Sequence, residues 1–190
     1  MSKRLDSAIK FATDKHQGQL RKREGTPYIL HPLEAAAIAN DLTKDEDVLI
    51  AAILHDTVED TEATIDEVRE KFGDRVAQLV AAETEDKRDS LPPEETWEIR
   101  KRESLEHLKN TTDPAVKILW LADKLSNVRT IYQIYQKEGE KVWDNFHMKD
   151  VNKQEWYYRT IVEYLSDLDG TLAYMEYRQL VNEIFKRNKN

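Results

Sequence analysis

The sequence contains no cysteine, so neither disulfide bonds nor thiolate chemistry enters its fold or its function, and a reducing compartment suits it. Glycine and proline are scarce, with five of each in 190 residues, so long uninterrupted helices are expected. No apolar run approaches the ~18 residues of a membrane span. The first ten residues are charged rather than apolar, which excludes a signal peptide. The expectation is a soluble cytoplasmic protein without a membrane partner. Excess positive charge is also missing. The net charge of −8 argues against bulk nucleic-acid binding, but a small anionic ligand needs only local cations. No polar–apolar alternation of strand length appears, and there is no internal repeat or low-complexity tract. The length points to one domain over residues 1–190, and nothing in the sequence specifies an oligomeric state.

What is present is helical patterning on a heavily charged surface, with 35% charged and 39% hydrophobic residues. Leu5, Ala8, Ile9 and Ala12 recur at helical spacing, so residues 1–15 form an amphipathic helix. A basic loop follows, Arg21-Lys22-Arg23-Glu24-Gly25-Thr26-Pro27. Pro32 then suits a first helical position. Residues 47–60 read as one helix, apolar on all sides from Val48 to Leu54, which marks it as central. Thr64 and Glu67 have capping-box spacing, and Gly73 is a helix stop. Further helices are expected over residues 76–83, 94–109, from Asp113-Pro114 past Ile131, 152–167 and 171–187, with 137–150 irregular. The fold class is all-α, a helical bundle of about eight to ten helices.

Chemistry concentrates where polar residues meet apolar surroundings. His55-Asp56 ends the apolar helix, beside Ile53 and Leu54. Burying such a pair costs several kcal/mol unless something offsets it. An isolated His-Asp dipeptide is common by chance and is usually a polar helix end. Two more residues shift the balance: His31 at a helix start, and Asp123 inside Ile118-Leu119-Trp120-Leu121-Ala122. Two neutral histidines and two aspartates neutralise one divalent cation, and their mixed nitrogen and oxygen donors suit manganese, iron or zinc alike. Glu59 and Asp60 lie about one turn beyond His55 and Asp56 if the helix continues, where carboxylates can orient water and move protons. The plain alternative is a solvated acidic helix end. Asn127 stands one turn beyond Asp123. The Arg21-Lys22-Arg23 run is either a solvated turn or a local cationic patch ahead of His31.

Taken together, these segments resemble a known family. Arg21-Lys22-Arg23-Glu24-Gly25-Thr26-Pro27-Tyr28-Ile29-Leu30-His31-Pro32 is similar to the entry motif of RelA/SpoT-type (p)ppGpp hydrolases of the HD superfamily. His55-Asp56-Thr57-Val58-Glu59-Asp60-Thr61 and Leu121-Ala122-Asp123-Lys124-Leu125-Ser126-Asn127-Val128-Arg129-Thr130 resemble its later motifs, and the three occur in order within residues 5–135. The resemblance implies an HD-type helical fold holding one Mn²⁺ through His31, His55, Asp56 and Asp123. It implies that Glu59 and Asp60 serve the attacking water and the proton transfers. By the same carry-over Arg21 and Lys22 contact base and phosphates, Asn127 lies near the ribose, and Lys87 reaches a substrate phosphate. The implied reaction turns ppGpp into GDP and pyrophosphate, and pppGpp into GTP and pyrophosphate.

The chain departs from bifunctional relatives in having no room for a synthetase region, so a small stand-alone hydrolase is expected, with the C-terminal helices packing on the motif-bearing core. Other readings are hydrolysis of another phosphorylated nucleotide (an adenosine alarmone such as pppApp, or NADPH) and a nucleotide-binding regulator without turnover. Asp167-Leu168-Asp169-Gly170-Thr171 fits the nucleophile motif of haloacid-dehalogenase phosphatases. That chemistry needs a preceding buried strand and a following parallel α/β domain, and only 19 residues follow Thr171. A capped turn between two helices is the better reading.

Overall fold

A computed structural model of the chain describes residues 2–21, 25–88 and 90–186. Among them are ten α-helices and two 3-10 segments, and the only β-type pairing is an isolated bridge between Leu20 and Pro27. The chain divides into two compact units, Met1–Glu85 with Thr111–Asp123, and Asp86–Asn110 with Lys124–Asn190.

In the first unit the scarcity of glycine and proline translates into closely spaced helices: α1 (Lys3–Lys15), α2 (Leu30–Leu42), α3 (Glu46–Leu54), α4 (Thr57–Asp60), α5 (Ile65–Phe72) and α6 (Asp74–Glu83). Ser2 caps α1 through its hydroxyl, and Asp45 caps α3. The Thr64 hydroxyl accepts the Glu67 N–H at the start of α5, and Gly73 ends that helix at φ +96°, where a side chain is strained. α3 packs against α1, α2 and α6. That enclosure explains its apolar circumference: Ile50, Ala51, Ala52, Ile53 and Leu54 are all at most 1% exposed. Arg4 of α1 reaches Glu46 and Asp47 of α3 and the Phe72 carbonyl. Arg75 of α6 makes a two-pronged bond to Asp113, at 2.6 and 3.0 Å, and Asp113 also caps the long helix α8 (Pro114–Glu138) by accepting the Ala115 N–H.

The fully buried Ile53 offers a direct check of this core. Ile53→Ala should cost about 2–5 kcal/mol. That loss is read as a lower urea midpoint at unchanged slope. A shift under about 0.5 kcal/mol would place Ile53 outside the core.

Three expectations are corrected. The helix expected over residues 47–60 is two helices, broken at His55-Asp56. The Thr57 hydroxyl donates to the Leu54 carbonyl at 2.6 Å, competing for a helical acceptor, and Asp56 sits at φ −90°, ψ −7°. α2 begins at Leu30, so Pro32 is its third residue rather than its first; the absent N–H is still one of the orphan donors of a first turn. Within residues 137–150, α8 runs on to Glu138 and a 3-10 helix spans Gly139–Asn145, burying Val142 and Trp143.

The second unit contains α7 (Pro93–Asn110), the later part of α8, α9 (Val151–Tyr164) and α10 (Leu172–Ile184), with α9 packed on α7 and α10. Its core includes Leu105, Leu108, Leu125, Val128, Ile161 and Tyr177. The Asp167–Thr171 motif runs from the 3-10 segment Ser166–Leu168 through the turn that leads into α10. Gly170 adopts φ +91°, and the Thr171 hydroxyl accepts the Tyr174 N–H. No strand precedes it among the described residues. No helix among the described residues is long and apolar enough to cross a membrane.

Candidate metal centre

Two helices and one helix break of the first unit deliver four donors to one place. His31 comes from the first turn of α2, His55 and Asp56 from the break between α3 and α4, and Asp123 from the part of α8 that belongs to this unit. His31 Nε2 lies 3.4 Å from Asp56 Oδ2 and 3.0 Å from Asp123 Oδ1. His55 Nε2 lies 3.1 Å and 3.5 Å from the same two oxygens. The histidine side chains are 2% exposed, Asp123 5% and Asp56 18%, so the cluster opens along its Asp56 edge. The ligand atoms of His31, His55 and Asp123 fall within 4.8 Å of one another, and all three residues are buried.

The chemistry of this donor set calls for a cation. His55 Nδ1 faces the Ala52 carbonyl at 2.8 Å, and an acceptor there fixes the proton on Nδ1 in the neutral ring. The lone pair of Nε2 then points at two carboxylate oxygens, and that buried nitrogen has no hydrogen-bond partner. Burial alone would push the His55 imidazole down, but Asp56 and Asp123 outweigh it and hold it well above its ordinary value. Burial would likewise raise Asp56, yet His55 and His31 keep it well below the usual carboxylate range. Negative charge thus attracts positive charge at this point. Donors about 2.0–2.2 Å from a metal are separated by about 3.0–3.5 Å along octahedral or tetrahedral edges, and the four measured separations match. His31, His55, Asp56 and Asp123 therefore fit one divalent ion.

The Glu59-Asp60 pair sits on α4, immediately after the cluster. Glu59 is half-buried, and one of its oxygens accepts the Glu85 N–H at 3.2 Å. Burial, and then the negative charges of Asp56 and Glu85, push its carboxyl up to about 7. Asp60 is held through three atoms. Its N–H donates to the Asp56 carbonyl at 2.8 Å, its carbonyl accepts from Gln19 Nε2 at 2.9 Å, and its Oδ2 accepts from the Tyr28 hydroxyl at 2.9 Å. Neither carboxylate is the solvated helix end that composition alone would allow.

Arg21 stands at the stem of the basic loop. Its N–H donates to the Thr26 carbonyl and its own carbonyl accepts the Gly25 N–H, while Gly25 takes φ +63° to turn the chain. Lys22 and Arg23 lie outside the described residues. Lys87 and Asn127 are half-buried and belong to the second unit, Asn127 one turn beyond Asp123 along α8. Sequence reasoning gave no role to Tyr28, His16 or Gln19, although Tyr28 and Gln19 bond to the Asp56–Asp60 segment and His16 contacts both of them. The available signal was a tyrosine three residues ahead of His31, inside the first motif.

Residues 8–149 match the HD domain family model. The human guanosine-3′,5′-bis(diphosphate) 3′-pyrophosphohydrolase MESH1 is 37% identical over 186 residues, which cover 96% of this chain and 93% of that protein. The corresponding 3′-pyrophosphohydrolase of Aquifex aeolicus is 38% identical over 138 residues; these span 73% of this chain but 19% of that longer protein. Among solved structures, a metazoan orthologue of SpoT that hydrolyzes ppGpp and plays a role in starvation responses superposes with a TM-score of 0.73 at 30% identity, covering 100% of this chain and 97% of the other. A fold assembled from helices alone, a buried His-His-Asp cluster and this likeness along nearly the whole chain converge, and the protein belongs to the HD-domain family, among relatives of the MESH1 type.

Proposed function

We propose that the chain is a manganese-dependent guanosine-3′,5′-bis(diphosphate) 3′-pyrophosphohydrolase, converting ppGpp and water to GDP and pyrophosphate, and pppGpp to GTP and pyrophosphate. The observation that carries this reading is the convergence of two imidazole nitrogens on two carboxylate oxygens, with His–Asp separations of 3.0–3.5 Å, beside the Glu59-Asp60 pair. The name borne by the relatives supplies the substrate. In this reading His31, His55, Asp56 and Asp123 hold one Mn²⁺, whose double charge the two carboxylates neutralise. The chemistry such an ion supplies is Lewis-acid polarisation of a phosphoryl oxygen and acidification of water.

The chain's own residues do the rest. Glu59, with one oxygen anchored on the Glu85 N–H, takes a proton from the attacking water. Water attacks the phosphorus bonded to the 3′ oxygen and the P–O3′ bond breaks; the proton taken by Glu59 passes through Asp60 to the departing ribose oxygen. One water is consumed and no net proton is left on the enzyme. Arg21 and Lys22 offset charge on the diphosphates, which the net charge of −8 would otherwise repel.

The test is turnover of ppGpp, pppGpp, pppApp, NADPH and 5′-nucleotides by Mn²⁺-loaded protein. Release of pyrophosphate from ppGpp and pppGpp at the highest kcat/KM is expected. Preference for pppApp or NADPH reassigns the substrate, and binding without turnover makes the protein a nucleotide-binding regulator. Arg21→Ala should raise KM for ppGpp about tenfold, the scale of one lost charge-assisted hydrogen bond. It should also reduce the salt dependence of KM, with little change in thermal midpoint. An unchanged KM at low and moderate salt would make the loop a solvated turn.

A further inference from the structure

Three side chains of the first unit form a connected group that the proposed chemistry leaves unused. The Tyr28 hydroxyl lies 2.6 Å from Asp56 Oδ2 and 2.9 Å from Asp60 Oδ2. That Asp56 oxygen is the one facing His55 Nε2 at 3.1 Å and His31 Nε2 at 3.4 Å. One phenolic proton is therefore shared between an oxygen of the metal cluster and a carboxylate of the acid–base pair. The tyrosine is itself held in place. Its N–H donates to the Gln19 carbonyl at 3.0 Å, and the buried His16 ring lies 4.8 Å from its own, tilted by 31°. The orientation of the Gln19 amide follows from its partners. Nε2 must face the Asp60 carbonyl, 2.9 Å away, so Oε1 faces His16 Nδ1 at 2.8 Å and that nitrogen carries the proton. Gln19 thus grips the Asp60 backbone while Tyr28 grips its side chain.

We propose that Tyr28, backed by His16 and Gln19, is a positioning residue that fixes Asp56 and Asp60 relative to each other, setting the acid–base carboxylate against the metal. Its hydroxyl is committed to two carboxylates of the same chain and its ring lies against those of His16 and His31, so its role is to align these groups rather than to touch substrate. Outer-shell donors to metal-binding carboxylates commonly act in this way, and their loss lowers metal affinity or activity about 10–100-fold. The inference rests on the functional reading above.

Tyr28→Phe keeps the ring and removes only the hydroxyl. With apo protein and Mn²⁺ alone, calorimetry should show Kd weakened by about 10–100-fold. In Mn²⁺-saturated assays kcat for ppGpp should fall about tenfold or more while KM stays within about twofold, as expected when alignment and not binding is lost. Unchanged Kd and kcat overturn the proposal. So does a raised KM with Kd and kcat intact, which would put Tyr28 against substrate. Should Tyr28→Phe melt far below wild type, Gln19→Ala decides: a lower kcat at constant KM supports the proposal, and an unaltered kcat refutes it. Wild-type protein that binds no Mn²⁺ or leaves ppGpp intact sinks the functional reading and this inference with it. Wild-type binding and turnover matched by Tyr28→Phe sink the inference alone.

Discussion

Asp123→Asn is expected to abolish metal loading and to lower ppGpp hydrolysis by about 10³-fold or more, with the helices intact. Asp123 is buried, between Ala122 and Lys124 on a helix whose Leu119, Leu121, Ala122 and Leu125 are fully buried. Its Oδ1 stands 3.0 Å from His31 Nε2. Asparagine preserves the volume, so packing is conserved. The change removes one of the two negative charges that balance the divalent ion in this low-dielectric site. Losing Lewis-acid assistance costs several kcal/mol of transition-state stabilisation, and each 1.36 kcal/mol is about tenfold in rate. Two measurements check the expectation. Metal content after gel filtration should drop from one ion per chain to near zero. Adding Mn²⁺ at about 100-fold its Kd should stabilise the wild type by about 2.7 kcal/mol, a rise in Tm of roughly 5–10 °C for a chain of this size, and leave the variant unmoved. A variant that keeps its ion and near-normal turnover would remove Asp123 from the ligand set.

The parts of this arrangement that sequence revealed share a physical origin: an expensive residue in cheap surroundings. His31, His55 and Asp123 are polar groups in apolar helices, and their burial needs compensation that only a convergent partner supplies. Helix ends were legible where a local cap decides them, as at Thr64, Asp113 and Thr171. The division of α3 from α4 was not legible, because both segments keep apolar or helix-compatible composition. The break depends on the Thr57 hydroxyl reaching the Leu54 carbonyl, a contact that periodicity does not encode. The 3-10 helix over Gly139–Asn145 was hidden for a related reason. Its inward residues, Val142 and Trp143, are adjacent and show no helical spacing. Tyr28 escaped notice because its meaning lies in partners 28 and 32 residues away. A tyrosine in a polar loop costs nothing by itself, so nothing in the local sequence asks what it bonds to.

Glu59→Gln and Asp60→Asn should each lower kcat by about 10²-fold or more, the scale of a lost proton-transfer group, while metal content and KM remain near wild type. Both substitutions keep size and remove a charge that acts after binding. Glu59 also provides a pH signature. Its carboxyl is pushed up to about 7 by burial, then by the negative charges of Asp56 and Glu85, against the opposing pull of the Glu85 N–H. A base works when deprotonated, so kcat should rise with pH through the Glu59 titration and level off above it. A cation on the neighbouring donors favours the carboxylate and opposes the upward shift, so the rising limb of the Mn²⁺-loaded enzyme belongs below pH 7. In Glu59→Gln that limb should vanish, leaving a low rate that is flat across the same interval, whereas Asp60→Asn should keep it at reduced amplitude. Profiles of kcat from pH 5 to 9 for the three proteins at saturating Mn²⁺ decide the matter. If the rising limb survives unchanged in Glu59→Gln, another group takes the proton from water, and Glu59 serves only to fasten the Glu85 backbone to α4.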